Sequence, residues 1–63
     1  MITVNGIPST TTATTVAELV AELGFARGTV LVELNGVALR PDEWPRVLQS
    51  GDAVELLRIV AGG

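Results

Sequence analysis

The last four residues, Val60-Ala61-Gly62-Gly63, suggest a chemistry that depends on the chain's own terminal carboxylate. They end a run rich in strand-forming residues, 53–60, which predicts that a strand delivers the glycines at a fixed place on the surface. Because glycine has no Cβ, such a tail can extend into a narrow channel of a partner, and the carboxylate stays sterically open to attack on ATP. The alternative is an ordinary frayed chain end.

The composition excludes most other chemistry. The 63 residues include no cysteine, histidine, lysine or tyrosine, which excludes disulfides, thiolate metal sites and the commonest general base. A net charge of −3 disfavours nucleic acid and is compatible with docking on a basic protein surface. A chain this short forms one domain with little room for an enclosed active site, so a small enzyme is a weak hypothesis.

The chain opens without the charged and apolar segments of a signal peptide. No apolar run approaches the roughly 20 residues that a membrane helix requires. These features predict a cytoplasmic protein without a membrane partner.

Turn signals and alternation predict most of the elements that must position the tail. Residues 1–4 alternate as a strand, and Asn5-Gly6 predicts a type I′ hairpin turn. The returning segment, 7–12, contains Pro8, which cannot donate to a sheet ladder and therefore predicts an edge strand.

A short amphipathic helix is predicted to begin after Thr15. Thr15 and Glu18 have the spacing of a capping box, and Gly24 is placed to end the helix. Four apolar residues share the spacing of one helical face, which must pack on the strands: Val16, Leu19, Val20 and Leu23.

The second half repeats the hairpin pattern. A third strand at 30–34 leads through Asn35-Gly36 to a short strand at 37–39. Pro41 opens a brief helical turn with acidic residues in its first positions. The side chains expected to cover one end of the core are Trp44, Val47 and Leu48.

The final strand predicts two faces by parity. Val54 and Leu56 point inward, whereas Leu57 and Ile59 point outward, with Leu31 as a candidate neighbour. Leu57 and Ile59 are therefore candidate partner-docking residues. The alternative is a partly covered second face of the sheet. Arg58 shares the inward parity, so we expect it at the end of the sheet with its guanidinium in water.

The order of these elements predicts an α+β architecture of the β-grasp (ubiquitin-like) type. Asn-Gly turns produce antiparallel pairs, and the long connection through the helix permits parallel pairing of the first and last strands. We therefore expect a mixed sheet of four to five strands packed on one α-helix. The folded domain is predicted at 1–60, followed by a flexible Ala-Gly-Gly tail at 61–63.

The chain resembles the ThiS-type sulfur carriers of thiamine biosynthesis. The match rests on the opening strand, the helix start at 15–19, Leu34-Asn35-Gly36, the Pro41-to-Trp44 segment, Gly51-Asp52 and the terminal Val60-to-Gly63 segment. Together these segments span the whole chain.

The resemblance implies a protein co-substrate that is not itself an enzyme and holds no cofactor or metal. In such carriers a ThiF-type adenylyltransferase uses Mg-ATP to adenylate the residue matching Gly63. A sulfur donor system then forms a thiocarboxylate, and a ThiG-type thiazole synthase takes the sulfur. Gly62 and Ala61 would form the tail that enters the partner.

Two alternatives stay open at this point. A molybdopterin-type carrier uses the same activation for another product, although its members are usually longer and less similar to the Pro41-to-Trp44 segment. A non-covalent β-grasp interaction module would not need its C-terminus at all.

Overall fold

Along the chain, a first hairpin is followed by a helix and then by a second hairpin. A final strand pairs with both hairpins and joins them into one sheet. The computed structural model describes residues 1–60. The elements are β1 (Ile2–Val4), β2 (Ile7–Ser9), α1 (Val16–Glu22), β3 (Val30–Leu34), β4 (Val37–Leu39), a 3-10 turn (Pro41–Glu43) and β5 (Ala53–Arg58).

The sheet has five strands in the order β2-β1-β5-β3-β4. The first and last strands, β1 and β5, run parallel at its centre, and the other neighbours are antiparallel. This mixed sheet with one helix confirms the predicted β-grasp architecture, and the Pro8 strand lies at an edge as expected. The predicted tail, 61–63, lies outside the described residues, so the boundary after residue 60 stays a prediction.

Both Asn-Gly turns adopt the left-handed backbone that a type I′ hairpin requires. The φ angle is +51° at Asn5 and +52° at Asn35, and the glycine after each also has positive φ. The asparagine side chains have a second role. Asn5 Oδ1 accepts the Leu56 N–H at 2.8 Å, and Asn35 Oδ1 accepts the Ala53 N–H at 2.9 Å. The two turns therefore also hold β5 in place.

The N-terminus of α1 is capped as its sequence predicts, with one shift in the reciprocal bond. Thr15 Oγ1 accepts the Glu18 N–H at 3.1 Å. The Glu18 carboxylate accepts the Thr14 N–H at 2.8 Å, one residue earlier than in a standard capping box. The first bond satisfies an N–H group that the first helical turn leaves unpaired, and the second ties the Glu18 side chain to the residue before the cap.

The C-terminus of α1 corrects one core prediction. Gly24, with φ at +83°, donates to Ala21 C=O at 3.0 Å, and Phe25 donates to Val20 C=O at 3.2 Å. This pair of bonds is a Schellman motif, which ends the helix as predicted. Leu23 is the C-cap and is 47% exposed, because the chain reverses before another helical turn can press it onto the sheet.

The core lies between α1 and one face of the sheet. Trp44 closes one end of it as expected and is 7% exposed. Val47 does not cover the core and is 62% exposed, because its segment meets the helix start through a backbone bridge to Thr15. Leu48 is partly buried. The buried apolar set is Ile2, Val16, Leu19, Val20, Val30, Val32, Leu34, Leu39, Trp44, Val54 and Leu56.

Asp52 stabilises the turn before β5 and should make folding stability depend on acid pH. Its Oδ2 accepts the Gln49 N–H at 2.8 Å and its Oδ1 accepts the Asn35 amide at 3.0 Å. The Gln49 bond, with a smaller effect of Asn35, holds the pKa of Asp52 below its ordinary value. A depressed folded-state pKa contributes stability above the unfolded pKa of about 3.9, and that contribution is lost as pH falls through the folded value.

We therefore expect Asp52→Asn to lower Tm at pH 7 and to lose less Tm than wild type between about pH 5 and pH 2. Thermal unfolding followed by circular dichroism across that range measures both. Asp42→Asn is the matched control, because it removes the same charge from an exposed ion pair with Arg40. Identical pH profiles for the two variants would contradict this role of Asp52.

Candidate functional site

The end of β5 is the described part of the structure that lies nearest in sequence to the predicted tail. Ile59 N–H donates to Thr29 C=O at 2.9 Å, which extends the β3–β5 ladder one residue beyond the assigned strands. Thr29 is itself held by Ala26, whose carbonyl accepts the Thr29 hydroxyl at 2.6 Å and the Thr29 N–H at 3.1 Å. The connection after α1 therefore holds the end of β5 in place.

Arg58, the last residue of β5, makes a contact that parity alone could not predict. Its side chain is exposed at the end of the sheet, as expected. The guanidinium carbon lies 5.1 Å from the centroid of the Phe25 ring, within the range of a cation–π interaction. Because Phe25 is partly buried against the core, this contact joins the strand end to the C-terminus of the helix.

The face of the sheet opposite α1 carries an exposed apolar patch, which we define as Leu31, Leu57 and Ile59. Leu31 and Leu57 are directly paired across β3 and β5 and are 57% and 50% exposed. Ile59 is 43% exposed and lies two pairs further on, beside Thr29. The predicted outward direction of all three is confirmed.

The same face carries a pair of like charges. Glu33 and Glu55 are direct cross-strand partners, two residues along each strand from the leucine pair. Cβ atoms of directly opposed residues are about 4.5–5.5 Å apart, and like charges in that position are destabilising. Among residues 1–60 the ion pairs all involve Arg40, so neither glutamate is neutralised there. The sequence pattern missed this acidic pair because the β3–β5 register was not known.

Residues 1–60 present a surface and hold no enclosed site. No pocket is found in this part of the molecule, and no group of three or more acidic side chains is placed to hold a metal ion. No helix within this range is long and apolar enough to cross a membrane. The candidate functional surface in this part of the chain is the open sheet face beside the end of β5.

Two of the five predicted site residues lie within residues 1–60, which the structure describes, and the other three lie beyond residue 60. Leu57 and Ile59 lie together on the open face, next to the point where the chain leaves the sheet. Gly63, Gly62 and Ala61 lie outside the described residues. The direct pairing of Leu31 with Leu57 shows that Leu31 belongs to the same surface.

A mixed sheet folded over one helix, with parallel first and last strands, defines a β-grasp protein of the ubiquitin-like type. The chain belongs to the ThiS family, whose sequence profile matches residues 2–63. The match therefore includes both terminal glycines.

Solved structures agree with this assignment. The crystal structure of the thiamine biosynthesis protein ThiS from Geobacter metallireducens is 40% identical, with 98% of this chain and 97% of that one covered and a TM-score of 0.79. The solution NMR structure of a thiamine biosynthesis protein from the same organism is also 40% identical, covering 98% and 86%, with a TM-score of 0.77. No curated protein matches the chain. Family membership supports a sulfur carrier of thiamine biosynthesis that interacts with enzymes of that pathway.

Proposed function

We propose that this chain carries sulfur for thiazole formation, with the carboxyl group of Gly63 as the point of attachment. A ThiF-type adenylyltransferase binds the tail, and a carboxylate oxygen of Gly63 attacks the α-phosphorus of Mg-ATP with release of pyrophosphate. Sulfur at the oxidation level of sulfide, supplied by a donor system, then attacks the acyl carbon, the bond to AMP breaks, and a thiocarboxylate remains. A ThiG-type thiazole synthase takes that sulfur into the thiazole ring.

The observation that carries the proposal is the ThiS family match, which runs through Gly63. The likeness to a thiamine biosynthesis protein over nearly the full length of both chains supports the thiazole product over that of a molybdopterin-type carrier. Gly62 and Ala61 would form the narrow part of the tail, because small side chains pass through a channel that larger ones block.

The chemistry explains why a carrier of this kind needs ATP. A carboxylate is a poor electrophile because its charge is delocalised over two oxygens, and adenylation supplies AMP as a leaving group. The thiocarboxylate keeps the sulfur nucleophilic and covalently held, so free sulfide is not released. ATP and its magnesium belong to the partner's reaction, and the carrier contributes the carboxylate and the surface by which it is recognised.

The folded body supports presentation of that carboxylate. The Ile59–Thr29 hydrogen bond and the Arg58–Phe25 contact hold the end of β5, so the fold fixes the backbone as far as Ile59, shortly before the tail in sequence. Leu57 and Ile59 are the docking residues in this proposal. They lie on the open face immediately before the tail, where a partner that engages the tail can also cover them.

One experiment tests the proposal directly. The chain is incubated with a ThiF-type adenylyltransferase, Mg-ATP and a sulfur donor, and the C-terminal peptide is analysed by mass spectrometry. We expect the mass change of one oxygen exchanged for sulfur on the peptide ending in Gly63, with no change when ATP is omitted. Absence of modification at that terminus with an active enzyme would refute the proposal.

A further inference from the structure

The open sheet face combines two features that both have a cost in the isolated protein. The Leu31–Leu57 pair leaves two large apolar side chains about half exposed, whereas an open antiparallel sheet face ordinarily carries polar residues. The Glu33–Glu55 pair places two like charges opposite each other without a cation among residues 1–60 to neutralise them. A partner surface with apolar groups beside cations would relieve both costs at once.

We propose that this face docks on a protein surface of the adenylating partner in which arginine or lysine side chains flank an apolar depression. The apolar patch enters the depression, and the partner's cations pair with Glu33 and Glu55. This inference rests on the proposed function for the identity of the partner and adds the chemistry by which that partner is recognised.

The arrangement also orients the carrier. At about 3.4 Å per residue, the acidic pair lies roughly 14 Å back along β5 from Ile59, with Leu57 between them. Charge at one end of the contact and the tail at the other distinguish the correct orientation from its reverse. Paired charges across an interface fix register and speed encounter more than they add affinity.

Charge argues against a second copy of this chain as the occupant. Two such faces brought together would place four carboxylates against one another in a protein whose net charge is already −3. A cationic partner turns the same charges into an attraction.

The test uses the double variant Glu33→Gln/Glu55→Gln, which removes both charges and keeps the side-chain size. The matched control is Glu22→Gln/Asp42→Asn, which removes two charges from the helix end and the 3-10 turn, away from this face. Pyrophosphate release by the ThiF-type enzyme is measured against carrier concentration in about 50 mM and about 500 mM NaCl, and Tm is measured for each protein.

For Glu33→Gln/Glu55→Gln we expect KM to rise roughly 3- to 30-fold at low salt with kcat unchanged, because exposed ion pairs are lost while the tail is intact. The increase should shrink to within about twofold at high salt, where screening weakens the wild-type pairs. The Tm of the same variant should rise by about 1–5 °C, because the like-charge repulsion is removed. A merely structural role for the glutamates would not weaken docking while raising stability.

Three results would overturn the inference. They are an unchanged KM for the double variant, an equal rise in KM for the control, or a wild-type dimer in light scattering that Leu57→Ala dissociates. Failure of the proposed function is a distinct outcome, in which wild type shows no ATP-dependent pyrophosphate release. Biolayer interferometry without ATP still measures docking on the ThiF-type enzyme when no pyrophosphate is released. Absence of wild-type binding in that assay would also refute the proposed docking surface.

Discussion

Placing a short peptide tag after Gly63, or deleting Gly63, should reduce ATP-dependent thiocarboxylate formation to background while the folded body stays intact. A tag converts the reacting carboxylate into an amide, which has no anionic oxygen to attack phosphorus. Deletion leaves a carboxylate that is about 3.5 Å short of its place in the partner. Neither change touches the described core, so Tm and the circular dichroism spectrum should match those of wild type.

The control is the same tag placed before Met1. The N-terminal ammonium is exposed and donates to Ser50 Oγ at 3.1 Å, and it lies at the start of β5, opposite the strand end that leads to the tail. We expect sulfur loading of that protein near the wild-type level. Normal loading with the C-terminus blocked would show that the terminal carboxyl is not the working group, and a non-covalent β-grasp module would then be the better hypothesis.

Leu19→Ala should remove most of the stability of the domain. Leu19 is 1% exposed at the centre of the helix–sheet contact. Truncating a buried leucine costs about 2–5 kcal/mol, through lost burial and the cavity that remains. A chain of 63 residues has a total stability of roughly 3–9 kcal/mol, so the variant should be largely unfolded or close to it at 37 °C.

Leu23→Ala is a control from the same predicted helical face. Leu23 is 47% exposed at the C-cap, so its truncation should cost less than about 1 kcal/mol. Urea titrations of both variants can follow the single tryptophan, Trp44, which is buried in the folded state. Equal losses for the two variants would mean that the helix ends later in solution and buries both leucines.

This contrast shows what a sequence pattern can and cannot predict. The spacing of apolar residues placed Leu19 and Leu23 on one face with equal weight. Burial depends also on where the helix ends relative to the sheet, and that end was itself predictable from Gly24. At Leu23 the apolar spacing predicts burial, whereas the helix end predicted from Gly24 does not. The Schellman motif leaves Leu23 exposed because the backbone reverses there.

The candidate site was predicted in part. Alternation alone placed Leu57 on the open face, because neighbouring side chains of a strand must point to opposite sides. Its pairing with Leu31 and the opposition of Glu33 to Glu55 depend on the β3–β5 register. That register joins segments about 20 residues apart in the chain, and no local pattern specifies it.

By itself, the sequence determined the features whose physics is local. The Asn-Gly turns, the Thr15 cap and the glycine helix stop follow from backbone sterics and nearby hydrogen bonds, and the family assignment through Gly63 rests on the residues in order. Only the tertiary structure decided which exposed residues meet. The apolar patch, the acidic pair and the Arg58–Phe25 contact arise because distant segments are packed side by side, and the energy of such contacts depends on positions that the chain acquires only when it folds.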